Sequence, residues 1–273
     1  MRRKALSWCA AVAAVVGLAQ TASASSITLY ANPAAGSIGV EGNAAPGFGS
    51  GSWQGNPVGS PAKSEFYFSP AFLGFSGPVL FSDINSISYW TNKPGTAGDP
   101  DWALYIYTKP TGTDDSAGWY KSRLTAEPYF TNTASVPANT WHEWSTSDPT
   151  NPLRFYDAPR AGYFGTYTDP TLATLQGGSY TWTNPITLAQ TTHDYRNEEI
   201  LFFSLQTGSG WANGFNGLVD GLSITVTNAN AAREIGTVNL EAAAPVPEPA
   251  SLVLLGTGLI GAGARRWRKR NDA

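Results

Sequence analysis

The strongest constraint on the fold of this chain is the alternation of apolar and polar side chains in short segments. Residues 222–227 place Leu, Ile and Val on one side and Ser and Thr on the other, a pattern typical of a half-buried β-strand. Residues 102–107 are apolar on both sides and predict a central strand. Further strands are predicted at residues 27–30, 65–68, 84–91, 119–123, 140–144 and 200–205.

The segments between these strands favour turns over long helices, because Gly and Pro are abundant in the chain. Residues 32–62 are especially rich in both, and we expect a long irregular excursion there. Two short helices are predicted, one starting at Pro170 with Asp169 as its N-cap and another within residues 188–199. The predicted fold class is all-β, a two-sheet β-sandwich of jelly-roll type with one or two short helices, over residues 25–241.

The first 24 residues have the three-part layout of a secretory signal peptide. Residues 2–4 are cationic and residues 5–18 are apolar. Ala22 and Ala24 then form a small-x-small cleavage site before Ser25. We therefore expect export, with the mature chain starting at Ser25.

The exported body contains no cysteine, because the only one in the chain is Cys9. It forms no disulfide and depends on its hydrophobic core, for which roughly 220 residues suffice. Residues 25–247 carry 18 Asp and Glu against nine Lys and Arg, a net charge of −9, whereas the whole chain has −3. So acidic a body excludes nucleic acid as a partner, since binding to phosphate backbones depends on cation density.

The C-terminal residues form three consecutive parts. Residues 242–249 are a proline-rich linker, and residues 250–264 are apolar. As a helix the apolar part would span only about 22 Å, which makes it a marginal transmembrane segment. Residues 265–273 begin with a cluster of cations, and we expect this basic tail to stay cytoplasmic.

This order of parts resembles the PEP-CTERM sorting signal of Gram-negative bacteria. The resemblance implies recognition by a membrane-embedded exosortase, transient tethering to the inner membrane, removal of the tail, and release to the cell surface or extracellular matrix. An ordinary anchor with an incidental proline linker is the alternative. Such tails are also called ice-binding protein C-terminal domains, but the body lacks the repeated Thr-x-Thr lattice of an ice-binding face. The residues that carry the resemblance are Val246, Pro247, Glu248, Pro249, Arg265 and Arg266.

Recognisable catalytic motifs are missing from the sequence, which has no G-x-S-x-G, no H-E-x-x-H and no phosphate-binding loop. His193 and Asp194 lack a serine at any spacing typical of a triad, and His142 is interpreted as a packed or surface strand histidine. Glu198 and Glu199 are adjacent and would point apart, which favours solvated surface acids over a glycosidase pair. We therefore expect a body that is not an enzyme.

Several aspartates flank predicted strands, where oxygen ligands in loops could hold a structural Ca²⁺. Turn formation without a metal is the alternative, and we favour it. No other cofactor is expected. The calcium candidates are Asp99, Asp101, Asp114, Asp115 and Asp220.

The tryptophans of the body are the best sequence indication of binding, because sugars stack their apolar faces on indole rings, although tryptophan is also a core filler. Trp53 and Trp211 lie in glycine-rich segments and Trp119 follows two aspartates, so we expect these three to be exposed and to bind glycan. Residues 208–222 resemble the closing strands of carbohydrate-binding jelly rolls and lectin-like sandwiches. An ordinary hairpin with a glycine-rich loop is the alternative.

The leading interpretation is an exported surface or matrix protein with a non-enzymatic sandwich that binds exopolysaccharide. Two alternatives stay open. One is a polysaccharide-active enzyme, a glycoside hydrolase or lyase, with a carboxylate pair that the sequence does not reveal. The other is a purely structural matrix component.

Overall fold

The alternating segments form the strands of two packed sheets in the computed structural model, which describes residues 22–32, 37–55, 63–95, 101–109, 121–131, 136–208 and 216–244. In chain order the strands are β1 (Ser23–Tyr30), β2 (Ile38–Glu41), β3 (Gly51–Gln54), β4 (Glu65–Phe68), β5 (Ile84–Asn92), β6 (Ala103–Thr108), β7 (Arg123–Ala126), β8 (His142–Ser145), β9 (Tyr180–Thr183), β10 (Gln190–His193), β11 (Ile200–Gln206), β12 (Leu218–Thr227) and β13 (Arg233–Glu241). The described helices are α1 (Ala158–Ala161) and α2 (Leu172–Gln176), with 3-10 turns at Phe81–Asp83 and Pro128–Phe130.

β12 is the centre of the larger sheet, in which it is antiparallel to β13, β3 and β5. β2 extends this sheet beyond β3, and β8 extends it beyond β5. β1 pairs in parallel with β13, from Ser23 opposite Glu234 to Tyr30 opposite Glu241. Because these two strands run in the same direction, the start of β1 and the end of β13 lie at opposite ends of the sheet.

The smaller sheet is antiparallel throughout and has the order β4-β11-β6-β7. Alternate residues of these strands point into the molecule and are buried. The predicted all-β sandwich is therefore confirmed. The inward residues are Phe66, Phe68, Leu104, Ile106, Leu124, Ala126, Phe203 and Leu205.

Aromatic rings join the two sheets at one end of the sandwich. Trp53 of β3 packs edge-on against Phe66 of β4, with ring centroids 4.7 Å apart, and Phe66 stacks on Trp102 at 5.5 Å. Tyr89 of β5 donates its hydroxyl to the Trp102 carbonyl over 2.8 Å. Since the described chain has no cysteine, this packing supplies cohesion that a disulfide would otherwise add.

The chain between β8 and β11 closes one side of the sandwich. The Leu153 N–H donates to the Ser145 carbonyl at the end of β8, over 2.9 Å. Thr125 and Tyr156 then form an antiparallel bridge that extends the edge of β7. The β9–β10 hairpin and both helices belong to this side wall.

Three local predictions are wrong in this side wall and beside it. Thr171, not Asp169, caps α2, because Asp169 instead accepts hydrogen bonds from the Thr166 N–H and the Tyr163 hydroxyl and closes the preceding turn. Residues 188–199 contain β10 rather than a helix. The other helix is α1, which Asp157 caps and Gly162 ends in a left-handed conformation. β7 begins only at Arg123, the last residue of the strand predicted at 119–123.

The expectation that residues 32–62 are irregular is also wrong where the structure describes them, because β2 and β3 lie there. Trp53, which we expected to be exposed, is consequently a core residue with 6% of its surface exposed. Its indole N–H donates to the Glu241 carbonyl over 2.9 Å. A tryptophan buried between two sheets offers no ring face to a glycan.

None of the helices in the described ranges has the length and apolar character needed to cross a membrane. Residues 1–21 of the predicted signal peptide and the predicted transmembrane segment at 250–264 lie outside those ranges. Ala22 and Ala24 of the predicted cleavage site are exposed at the start of β1. Cleavage before Ser25 stays a prediction, and it would leave residues 25–30 of β1 in place.

Replacing Trp53 tests its role in the core. We expect Trp53→Ala to lower the free energy of unfolding by about 3–5 kcal/mol, because a large buried ring is lost between the sheets. Trp53→Phe keeps a smaller ring and loses the hydrogen bond to the Glu241 carbonyl. The lost hydrogen bond should cost about 1 kcal/mol, in addition to the cost of the smaller ring volume. Urea denaturation of the purified body measures both values. A loss below 1 kcal/mol for Trp53→Ala would place the ring outside the core.

Candidate functional site

The outward face of the smaller sheet carries a cluster of aromatic rings, which we call the aromatic face: Tyr67 on β4, Tyr105 and Tyr107 on β6, and Phe202 on β11. The strand register places Tyr67 and Tyr105 on either side of Ser204, and Phe202 directly opposite Tyr107. The rings of Tyr67 and Tyr107 are 5.8 Å apart, and those of Tyr105 and Tyr107 are stacked at 6.2 Å. Tyr67 meets Phe202 edge-on at 6.0 Å.

Polar groups lie among these rings. Gln206 donates its side-chain N–H to the Tyr107 hydroxyl over 3.0 Å and to the Ser204 hydroxyl over 2.9 Å. The ammonium of Lys63 lies 5.6 Å from the Tyr105 ring centroid, and the guanidinium of Arg123 lies 5.8 Å from it. Gln206 and Ser204 are both 0% exposed, so the hydrogen bonds of Gln206 fix the Tyr107 ring in place from below the surface.

Burial and nearby groups raise the pKa of two phenols of the aromatic face, Tyr67 and Tyr105. Burial raises the pKa of Tyr67, and the neighbouring Tyr107 and Glu65 raise it further. Burial also raises the pKa of Tyr105, with Glu127 adding to the effect. At physiological pH both rings thus carry a hydroxyl that can donate or accept a hydrogen bond.

Exposure differs across the aromatic face. Tyr67 keeps 38% of its surface exposed, whereas Tyr107 at the centre keeps 2%. Tyr105 and Phe202 are half-buried. A ligand would therefore meet Tyr67 first, with the half-buried rings beside it and Tyr107 as their support.

The sequence signal for this face was the alternation itself. Tyr105 and Tyr107 share one side of the strand predicted at 102–107, and Tyr67 alternates with phenylalanines at 65–68. The binding residues predicted from the sequence are all tryptophans, and the tyrosines of this face are not among them. Of the three predicted glycan-binding residues, Trp53 is in the core, and Trp119 and Trp211 lie outside the described residues.

Two of the calcium candidates are described, and both carboxylates are buried acceptors of protein hydrogen bonds. Asp101 accepts from the Thr91 hydroxyl at 2.7 Å, the Trp102 N–H at 2.8 Å and the Trp144 indole at 3.3 Å. Asp220 accepts three backbone N–H groups, from Ala45, Gly221 and Leu240.

These bonds give Asp101 and Asp220 a structural role that needs no metal. In the described part of the chain, no three His, Cys, Asp or Glu residues come together as a metal site would require. Asp99, Asp114 and Asp115 lie outside the described residues, and calcium binding by these residues stays untested.

A second cluster of chemically active groups is buried beneath the side wall around Arg160. Its guanidinium donates to Asp157 over 2.6 Å, to Glu198 over 3.1 Å and to the Ser122 hydroxyl over 2.8 Å. Burial raises the pKa of Asp157, while the charge and hydrogen bonds of Arg160 oppose that rise. The two carboxylates hold Arg160 in its charged form, since they raise its pKa against the effect of burial.

Two further side chains contact the carboxylate oxygens of Glu198. His193 lies 2.6 Å from one carboxylate oxygen, and Thr108 donates its hydroxyl to the other over 2.5 Å. Glu198 is 0% exposed, so the expectation that it is a solvated surface acid is wrong. Glu199, by contrast, lies at the surface 3.4 Å from Lys109.

The Arg160 cluster joins the side wall to the smaller sheet, because its members come from β6, β7's leading segment, α1, β10 and the segment before β11. Arg160 and the carboxylates of Asp157 and Glu198 keep at most 2% of their side-chain surface exposed. A glycosidase pair needs access to substrate, and these carboxylates have none in this arrangement. The cluster is therefore structural. His142, as expected, is a packed strand histidine, edge-on to Trp144 at 4.3 Å.

Comparison with known proteins identifies one part of the chain. Residues 245–269 match the model of the PEP-CTERM protein-sorting motif. No curated protein and no solved structure matches the chain significantly. The chain thus carries the sorting signal of an exported protein that an exosortase-type enzyme processes, which places it at the cell surface or outside the cell.

Replacing neighbouring glutamates separates the buried carboxylate from the surface one. We expect Glu198→Gln to lower the free energy of unfolding by about 3–5 kcal/mol, because it leaves Arg160 partly uncompensated in the interior. Glu199→Gln is the matched control and should cost less than about 1 kcal/mol, as exposed ion pairs do. Denaturant unfolding at pH 7 compares them. Equal effects would contradict a structural role for the Arg160 cluster.

Asp101 should make stability fall as pH rises from about 4 to 7. Burial raises its pKa to about 6, against its ordinary value of 3.8, although four neighbours lower it. The folded protein then binds this proton more tightly than the unfolded chain, so rising pH favours unfolding by up to roughly 3 kcal/mol.

Asp101→Asn removes this titrating group while leaving Asp220, whose pKa burial also raises to about 6. Urea denaturation at several pH values should therefore show a smaller fall in stability for the variant than for the natural protein. Parallel curves for the two proteins would show that Asp101 does not titrate in this range.

Proposed function

We propose that this protein is a surface or matrix protein whose β-sandwich binds polysaccharide through the aromatic face and performs no catalysis. The chain carries the PEP-CTERM motif and is exported by that route. In this proposal the tail tethers the body transiently to the inner membrane, and processing then releases it to its polysaccharide partner.

One observation carries the binding proposal: Tyr67, Tyr105, Tyr107 and Phe202 form a cluster of rings on one outward sheet face, with Gln206 and Ser204 among them. An outward sheet face with no further role would be expected to carry polar side chains. Tyr67 is exposed and Tyr105 and Phe202 are half-buried, so these three rings offer apolar surface on which sugars can stack, while the buried Tyr107 supports them.

The non-catalytic part of the proposal is supported by where the acids lie. The carboxylates that converge on Arg160 are buried, and Asp101 and Asp220 are committed to hydrogen bonds within the fold. On the aromatic face itself, Glu65 pairs with Lys63, and Glu127 accepts from the Tyr156 hydroxyl. Each of these acids is thus engaged by a neighbouring side chain or backbone group.

Tyr67→Ala tests the binding site with a closely matched control. We expect retention by the producer's own exopolysaccharide, or by a glucan that retains the natural protein, to fall roughly fivefold. The reason is that one stacking ring contributes about 1 kcal/mol. Tyr30 is 39% exposed, against 38% for Tyr67, but lies on β1 of the other sheet. Tyr30→Ala should leave retention unchanged.

Affinity electrophoresis in polysaccharide gels measures both variants under identical conditions. Equal retention of Tyr67→Ala and the natural protein would remove the aromatic face from the binding site. Release of reducing ends from any tested glucan would contradict the non-catalytic part of the proposal.

A further inference from the structure

The last residue of the sandwich is fixed by an unusual number of hydrogen bonds. The Glu241 carboxylate accepts the backbone N–H groups of Ser50 at 3.0 Å and Gly51 at 2.9 Å, and the side-chain amide of Asn239 at 3.0 Å. Its carbonyl accepts from the Ala31 N–H and the Trp53 indole, each over 2.9 Å. Burial alone would raise the pKa of Glu241, but these donors hold it below its ordinary value.

The next residue, Ala242, is also packed against the body. A side chain at Gly39 would place its first carbon 2.3 Å from the Ala242 carbonyl oxygen. One at Gly51 would lie 2.7 Å from the Ala242 nitrogen. Both distances are shorter than any atomic contact allows, so glycine at these positions permits the close passage. The tail therefore leaves the body only after Ala242, and Ala243 and Ala244 are exposed.

This fixed exit limits how far the sorting motif can stand from the body. Pro247 follows Ala242 by five residues, which even fully extended reach only about 17 Å. An enzyme that holds Pro247, Glu248 and Pro249 must consequently lie within about 17 Å of the end of the sandwich from which the tail emerges. We call that end the exit surface and define it by Tyr30, Glu41, Gly42, Ser50 and Ala243.

We propose that the exit surface docks on the membrane-embedded processing enzyme while the enzyme holds the Pro-Glu-Pro element. This inference rests on the proposed sorting of the chain and adds which face of the body meets the enzyme. The exit surface has no Lys or Arg among its defining residues. Anionic lipid head groups attract surfaces through such cations, so the enzyme rather than the lipid is the partner that this surface fits.

Photo-crosslinking in cells that contain the processing enzyme tests the proposal. A benzophenone amino acid is placed at Glu41 on the exit surface, or at Asn230 in the turn between β12 and β13. Both positions are exposed, and β13 separates them by about 27 Å, because it runs from Arg233 to Glu241. We expect the enzyme to be crosslinked at least tenfold more from position 41 than from position 230.

A spacer of ten Gly and Ser residues inserted between Ala243 and Ala244 supplies the decisive comparison. It should reduce crosslinking from position 41 to the level seen at position 230, because the body is then no longer held at the enzyme. Equal yields from the two positions, or an undiminished yield with the spacer, would overturn the proposal. Circular dichroism of each variant checks that the sandwich is intact.

The variant Glu248→Ala distinguishes docking of the exit surface from recognition of the sorting motif, on which the docking proposal rests. Loss of tail removal together with loss of crosslinking from position 41 supports both. Continued tail removal in Glu248→Ala would overturn the sorting assignment itself, whatever the crosslinks show. Normal dependence on Glu248 combined with equal yields from positions 41 and 230 would overturn only the docking of the exit surface.

Discussion

The buried charges around Arg160 are the constraint on which the side of the sandwich depends. Asp157 lies at the start of α1, Arg160 within it, and Glu198 just before β11. Two carboxylates and one guanidinium in the interior are tolerable only with almost complete hydrogen bonding, which Ser122, Thr108 and Tyr195 supply. In a body without disulfides, this cluster adds to the apolar packing of the side wall, where Phe155, Leu175 and Trp182 are buried.

The burial of acidic side chains also keeps them away from the surface where a ligand could bind. Acids that sequence reasoning would offer as catalytic or metal ligands are satisfied inside the fold, as Glu198, Asp101 and Asp220 show. The outward face of the smaller sheet, by contrast, exposes an aromatic side chain at Tyr67. This division is the basis on which we propose binding without catalysis.

Sequence reasoning could predict the strands wherever the alternation was strict, as at 222–227 and 65–68, because the period of two is a direct consequence of strand geometry. It could not place Trp53, since local glycine content says nothing about a sheet packed above it. Nor could it foresee the burial of Glu198, which depends on Arg160, a residue 38 positions away. The tyrosines of the aromatic face were visible as alternation, but their convergence required the register between β4, β11 and β6.

The parallel pairing of β1 with β13 determines where the tail leaves the body. It places the exit of the tail at one end of the larger sheet, beside Glu241, and the start of β1 at the other. The aromatic face belongs to the other sheet. In the proposed function, the body binds polysaccharide through residues of β4, β6 and β11, so removal of the tail changes where the protein goes without removing a binding residue.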